Sequence, residues 1–138
     1  MHEMDGDWYP WGQVGGNTAA QFISAWRHIR DRFFSQNVNN VKFVWCPNNS
    51  NTKGIDQTDF FPGDYYVDWI CLDAYAADTG TSFVQTITTH CNPRNPYDRL
   101  TAISTKPMMI AEWGANEPAN GKSNENKNKL KIKKYKKI

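Results

Sequence analysis

Polar side chains stand where apolar runs of this 138-residue chain end, and one further polar pair stands near its start. These residues are His2 and Glu3, Asp73 and Tyr75, and Glu112 with Trp113. Carboxylate and imidazole groups that meet in a cleft can move protons, and a carboxylate can act as a nucleophile. A single Glu is more often a solvated surface residue. The elements that carry these residues therefore decide whether they meet.

Short apolar runs alternate with helical patterns along the chain. Strands are predicted at residues 41–46, 67–73 and 106–111, and short helices at 82–90 and 96–104. Such alternation implies parallel β/α units, and nearly continuous apolar strands imply a sheet covered on both faces. In a β/α barrel the active site lies at the carboxyl ends of the strands, where the polar residues above are found.

A longer helix is predicted to begin near Thr18, because Gln21 three residues later completes a capping-box pattern. Apolar residues then recur at helical spacing, so the helix should bury one stripe. That stripe comprises Phe22, Trp26, Ile29 and Phe33. Trp26 and Trp69 are interpreted as core residues, and His28 and His90 as surface residues.

Four motifs give the chain a specific resemblance: HEMDGDWYPWG, FVWCPN, DWICLDAY and KPMMIAEWG, in this order. Together they resemble glycoside hydrolase family 26, whose best-known members are endo-β-mannanases, and the matching stretch covers residues 1–115. The resemblance implies an α/β fold that is part of a (β/α)8 TIM barrel. The three predicted strands would be the fifth to seventh, with His2 and Glu3 marking the end of the fourth.

The resemblance also implies a mechanism. Glu3 falls on the family's acid/base position and Glu112 on its nucleophile position. Cleavage with retention needs one carboxylate to attack the anomeric carbon and another to protonate the leaving oxygen, at a separation of about 5 to 5.5 Å.

Further residues are expected in the cleft by the same resemblance. Tyr75 would bond the nucleophile, and Asp73 and His2 would either contact sugar or support the carboxylates. Aromatic faces pack well against the apolar face of a pyranose, as expected for Trp8 and Trp113. Trp45 and Asn48, at the end of the fifth strand, would line the same cleft.

The chain departs from the family pattern in length, since a complete barrel takes about 250 residues. Three β/α units before the His-Glu pair and an eighth after the nucleophile strand are not seen in this sequence. The fold is therefore expected to be a partial barrel, approximately strands four to seven, truncated at both ends. We hypothesise that it has a glycanase's residues with little or no activity on its own. A non-catalytic carbohydrate-binding or structural remnant is the alternative.

Composition divides the chain into residues 1–117, the expected catalytic segment, and a Lys-rich tail at 118–138, expected to be disordered. The tail has eight Lys and one Glu, whereas the body is acidic and aromatic. No nucleic-acid partner is expected, although a module acting through the tail is a competing hypothesis. The expected partner is a β-linked polysaccharide: mannan, glucomannan or a related glucan. Mixed-linkage β-glucan and β-1,3-xylan are alternative substrates within the family.

Targeting and cofactor signals are few. No apolar run is long enough to span a membrane, and the start is neither basic nor apolar enough for a signal peptide, although the family is secreted or cell-surface. No cofactor or metal is expected from the spacing of Cys46, Cys71 and Cys91. Buried free thiols are the expected state of the first two, with a Cys46–Cys71 disulfide as the alternative.

Overall fold

The computed structural model describes residues 1–49, 54–76, 81–89 and 95–115. The described residues form three α-helices, α1 (Ala19–Ser35), α2 (Phe83–Thr88) and α3 (Pro96–Ile103), and three strands, β1 (Val44–Trp45), β2 (Trp69–Tyr75) and β3 (Met108–Gly114). Short 3-10 helices occur at Gln13–Gly15, Gln57–Phe60 and Asp64–Tyr66. The predictions for His90, Cys91 and the tail at 118–138 lie outside the described residues. None of the described helices is long and apolar enough to cross a membrane.

The strands form one parallel sheet in the order β1-β2-β3, which confirms the parallel β/α prediction. β2 pairs with β3 from Ile70 to Tyr75, but the register shifts between Leu72 and Asp73. Leu72 pairs with Ile110, whereas the next residue, Asp73, pairs with Glu112. The shift leaves Ala111 without a paired residue in the described part of β2.

Helix α1 begins as its capping box predicts. The Thr18 hydroxyl accepts a hydrogen bond from the Gln21 backbone N–H, and the Thr18 backbone N–H donates to the Gln21 side chain. Phe22 and Trp26 are buried, whereas Ile29 and Phe33 are 40% and 38% exposed. Only the first half of the predicted stripe therefore faces the core of the described residues.

The core lies between α1 and the sheet, and β2 is its centre. Its fully buried residues include Trp45, Phe60, Ile70, Leu72 and Leu100. Every residue of β2 from Ile70 to Ala74 is buried, whereas most of β3 is only half-buried. Coverage of both faces, predicted for all strands, is thus observed for β2.

Two tryptophans differ from their predicted places. Trp45 was expected in the cleft, but it is completely buried, with its ring 5.1 Å from that of Phe61 in an edge-on contact. The reason is the register of β1, which places Trp45 beside the buried Ile70. Trp69 was expected in the core, but it is the exposed first residue of β2.

The cysteine expectation is also corrected. Cys46 and Cys71 are joined by a disulfide, with Cα atoms 4.6 Å apart. β1 and β2 are neighbouring parallel strands, and their register places the residue after Trp45 beside the residue after Ile70. The two side chains are buried at the end of β1, next to Asp73.

Candidate active site

Glu3 is held against the sheet by its backbone. Its N–H donates to the carbonyl of Cys46 at 2.7 Å, and its carbonyl accepts from Gly6 N–H at 3.1 Å. Its φ of 49° lies in the left-handed region, which is uncommon for a residue other than glycine. This conformation directs a carboxylate that is only 6% exposed into the end of the sheet.

Both carboxylate oxygens of Glu3 accept side-chain hydrogen bonds. Asn48 Nδ2 donates to Oε1 at 2.5 Å, and the indole N–H of Trp8 donates to Oε2 at 2.6 Å. Trp8 folds back over Gly6, where an added Cβ would lie 2.4 Å from the indole ring. Gly6 therefore permits the contact that orients Glu3, while the Trp8 side chain stays 45% exposed.

Glu112 reaches the same place from β3 because of the register shift. Paired residues of neighbouring strands lie on the same face of a sheet, so the shift puts Glu112 on the face of Asp73 and Tyr75. The Tyr75 hydroxyl donates a short hydrogen bond to Glu112 Oε2. Burial and this hydrogen bond raise the pKa of Tyr75, so the phenol remains a donor. The Glu112 side chain is 42% exposed and open to a ligand.

His2 lies between the two glutamates. Its Nε2 is 3.9 Å from Glu3 Oε2 and 3.8 Å from Glu112 Oε1. Tyr9 contacts the imidazole, with its hydroxyl 3.4 Å from His2 Nε2, and Trp11 holds the His2 backbone. The rings of His2 and Tyr9 are 4.9 Å apart, and Trp11 Nε1 donates to the His2 carbonyl at 2.8 Å. Neither aromatic residue was predicted, although both lie in the quoted motif WYPW, whose density of aromatics is the signal.

Asp73 is the buried acid beneath this pair, at 1% exposure. Burial, together with the negative charges of Glu112 and Glu3, raises its pKa to about 8. At neutral pH Asp73 is therefore mostly neutral, and the site does not collect three adjacent negative charges. Its Oδ1 lies 3.2 Å from the Cys46 sulfur.

Asp5 is a second buried acid, and it was not predicted. It is fully buried, and its Oδ1 accepts from the Asn48 backbone N–H at 3.0 Å. Burial raises the pKa of Asp5 to about 7 in spite of that hydrogen bond. Since the Asn48 side chain bonds Glu3, Asp5 supports the carboxylate through Asn48. An Asp before a Gly is typical of a turn, so the sequence alone does not single it out.

Trp113 has a different environment from the carboxylates. It pairs with Ala74 in the register, on the face opposite to Glu112, and its ring packs edge-on against Phe83 of α2 at 4.8 Å. The predicted residues brought together are thus His2, Glu3, Trp8, Asn48, Asp73, Tyr75 and Glu112.

An apolar groove of about 330 Å³ lies beside the site, between α1 and residues 41–44, and His2 is among its lining residues. It includes Trp26, Phe33 and Phe43 and none of the site carboxylates. We therefore assign the chemistry to the carboxylate site. Among the described residues, His2, Asp73 and Glu112 also have donor atoms close enough together to hold a metal ion.

Glu112, on β3, and Glu3, held beside Cys46 at the end of β1, flank one imidazole and form an acid–base site of the kind β/α-barrel hydrolases carry. The family model for glycosyl hydrolase family 26 matches residues 1–138. The chain belongs to glycosyl hydrolase family 26, a family of glycoside hydrolases, as the motifs predicted.

Known relatives agree with this assignment. The chain is 35% identical to endoglucanase H of Acetivibrio thermocellus over 89% of its length, and 31% identical to a mannan endo-1,4-β-mannosidase of Bacillus subtilis over 88%. It spans 14% and 30% of the length of these two relatives.

Solved structures show the same fold relationship. The catalytic domain of a family 26 endo-β-1,4-mannanase from a Bacillus species superposes with a TM-score of 0.65 at 27% identity, covering 88% of this chain and 32% of that one. A family 26 protein from Muricauda superposes with a TM-score of 0.62, also at 27% identity, covering 86% and 36%. The described β/α units therefore correspond to part of a family 26 catalytic domain.

Proposed function

We propose that this chain carries the catalytic centre of a retaining endo-β-1,4-mannanase, with Glu112 as nucleophile and Glu3 as acid/base. One observation carries the proposal: His2 Nε2 lies 3.9 Å from a Glu3 oxygen and 3.8 Å from a Glu112 oxygen. Two carboxylates around one nitrogen are close enough together for a single sugar ring to lie between them. The two distances place these Glu3 and Glu112 oxygens at most about 7.7 Å apart, a range that includes the separation of about 5 to 5.5 Å used in double displacement.

The reaction follows from the two carboxylates. A Glu112 oxygen attacks the anomeric carbon while the bond to the leaving oxygen breaks and Glu3 gives that oxygen its proton. A water molecule then loses a proton to Glu3, attacks the same carbon and releases Glu112. Inversion at each step gives net retention of the anomeric configuration.

The surrounding contacts suit these roles. Tyr75 binds Glu112 Oε2 and leaves Oε1 facing His2, so one oxygen is held while the other is available for attack. Trp8 and Asn48 fix the Glu3 carboxylate from two directions. A neutral Asp73 sits beneath both glutamates without adding a negative charge at neutral pH.

The substrate part of the proposal is supported by the names of relatives, which include mannan endo-1,4-β-mannosidases from three bacterial species. The half-exposed Trp8 ring offers a face for a pyranose. Endoglucanase H, at 35% identity, favours β-glucan as the second candidate substrate. A stacking role for Trp113, action on β-1,3-xylan and a secreted or cell-surface location remain predictions. The numbering of the strands as fifth to seventh also remains a prediction. The same holds for a separate tail at residues 118–138 and for the absence of nucleic-acid or membrane partners.

Covalent trapping tests the mechanism directly. A 2-deoxy-2-fluoro-β-mannobiosyl fluoride should add one glycosyl group to the 138-residue chain, and peptide mapping should place it on Glu112. Glu112→Gln should prevent the mass gain. Asp31→Asn, which changes an exposed carboxylate of α1, should leave it intact and serves as the matched control.

Turnover and specificity are measured alongside the trapping. Reducing-sugar release from β-mannan reports turnover, which we hypothesise to be weak for this chain alone. The matching fluorocellobiosyl reagent distinguishes β-glucan from mannan. Calorimetric binding of mannan with no label on Glu112 would instead establish the non-catalytic alternative, and labelling of another carboxylate would overturn the assignment.

A further inference from the structure

Three potential metal ligands from distant parts of the chain meet at the end of the sheet. His2 Nε2 and one oxygen each of Asp73 and Glu112 all lie within 4.8 Å of one another. The separation between His2 Nε2 and Glu112 Oε1 is 3.8 Å. A tetrahedral zinc with ligands at about 2.0 to 2.2 Å places neighbouring ligand atoms roughly 3.4 Å apart. Small side-chain rotations would therefore bring all three donors to one ion.

Asp73 supplies a second and independent observation. It is 1% exposed, and its Oδ2 has no hydrogen-bond partner among the described residues. Burying an oxygen without a hydrogen-bond partner is energetically unfavourable. A cation held between Asp73 and its two neighbours would release the Asp73 proton to solvent and give this oxygen the partner that the described side chains do not provide.

The other two donors, Glu112 and His2, also offer suitable ligand atoms. Glu112 Oε2 accepts from Tyr75, so Oε1, the oxygen nearer His2, is the candidate ligand. The His2 ring packs against Tyr9, and its Nε2 lies 3.4 Å from the Tyr9 hydroxyl, a long hydrogen bond that a bound cation would replace. Metal sites commonly have contacts such as the Tyr75 hydrogen bond behind their ligands.

Glu3 is excluded from the ligand set by its contacts. Both of its oxygens already accept short hydrogen bonds, from Asn48 and from Trp8. The cluster is thus one imidazole and two carboxylates.

We infer that His2, Asp73 and Glu112 form a binding site for a divalent transition cation of the zinc class. Imidazole with few ligands favours zinc, copper or nickel, whereas Ca²⁺ takes six to eight oxygen ligands and Mg²⁺ needs an octahedral set. If the proposed function holds, the ion occupies the nucleophile, so cation binding and glycoside cleavage exclude each other. The site is therefore inhibitory.

Zinc titration of the untagged 138-residue chain by calorimetry tests the site without any sugar. Cysteines are alkylated beforehand and reductant is omitted, so that free thiols do not bind the metal. One zinc per chain is expected, and His2→Ala and Asp73→Asn should each weaken the affinity more than about ten-fold. His28→Ala is the control, because His28 is an exposed residue of α1 and belongs to no ligand cluster within the described ranges.

A measurement on the unaltered chain covers the case in which a variant fails to fold. Cobalt(II) should shift the imidazole NMR signals of His2 and leave those of His28 in place. Absence of zinc binding, equal binding by His2→Ala and His28→Ala, or a cobalt effect on a histidine other than His2 would overturn the inference. None of these results bears on covalent trapping at Glu112, so the two proposals fail separately.

Discussion

Replacing Asp73 with Asn should remove much of the pH dependence of the chain's free energy of unfolding. The pKa of Asp73 is raised from an ordinary 3.8 to about 8 by burial and by Glu112 and Glu3. The folded state thus holds the Asp73 proton more tightly than the unfolded state does. The stabilisation from this group is complete below pH 3.8 and is lost progressively as the pH rises toward 8.

The magnitude follows from the size of the shift. Between the two pKa values, each rise of one pH unit lowers the free energy of unfolding by about 1.4 kcal/mol. Ionisation of Asp73 therefore lowers it by about 4 kcal/mol between pH 4 and pH 7. In the Asp73→Asn variant, the carboxamide would occupy the same buried place without an ionising group. The variant should therefore gain stability over the original chain by about that amount across this pH range.

Urea denaturation followed by circular dichroism at pH 4, 5, 6 and 7 measures both chains. The second buried acid, Asp5, titrates in both chains, and its charge contributes to the raised pKa of Asp73, so the difference between the chains reports Asp73 together with its coupling to Asp5. Asp31→Asn is the control, since that side chain is 57% exposed. A stability difference that stays constant from pH 4 to pH 7 would refute the reasoning, as would a carbon-13 titration of Asp73 with an ordinary midpoint.

Three further substitutions test other contacts. Cys46→Ser should lower the unfolding free energy by about 3 kcal/mol, because the disulfide to Cys71 closes a 25-residue separation. Equal urea midpoints for the original chain with and without reductant would contradict this contribution of the disulfide. Thr18→Ala should cost about 1 kcal/mol by removing the cap of α1, again measured with urea, and an unchanged midpoint would count against the cap. Tyr75→Phe should slow trapping of Glu112 about ten-fold or more, the loss of a hydrogen bond to a charged group. An unchanged labelling rate would exclude that role.

Local chemistry made some elements predictable. The capping box of α1 involves residues three apart in sequence, so Thr18 and Gln21 identify the helix start. The strands were harder to delimit. β2 and β3 continue through Tyr75 and Gly114 because polar residues at their ends still pair in the sheet. The change from apolar to polar side chains in the sequence therefore located the active-site residues, but it did not locate the ends of β2 and β3.

Features that depend on register were not predictable. β1 has two residues, too few to show which face Trp45 uses, and its burial follows only from its position beside Ile70. The Cys46–Cys71 pairing depends on the same alignment of strands. Asp5 acquires its role through Asn48, from a distant part of the chain. The glutamates were found because their motifs are specific, whereas the contacts between them required the fold.

The unmatched Ala111 sets the parity of β3. Met109 pairs with Cys71, so in a regular ladder, without the register shift, Glu112 would pair with Ala74 and lie on the face opposite to Asp73. Deleting Ala111 would remove the register shift, and Glu112 would then follow Ile110 directly and pair with Asp73 in a regular ladder. Adding one residue before Ala111, with the register shift retained, would pair Glu112 with Ala74 and turn its side chain to the opposite face. A sequence alignment that places a one-residue gap at Ala111 would match the same residue types but would assign the preceding residues of β3 to the wrong face of the sheet.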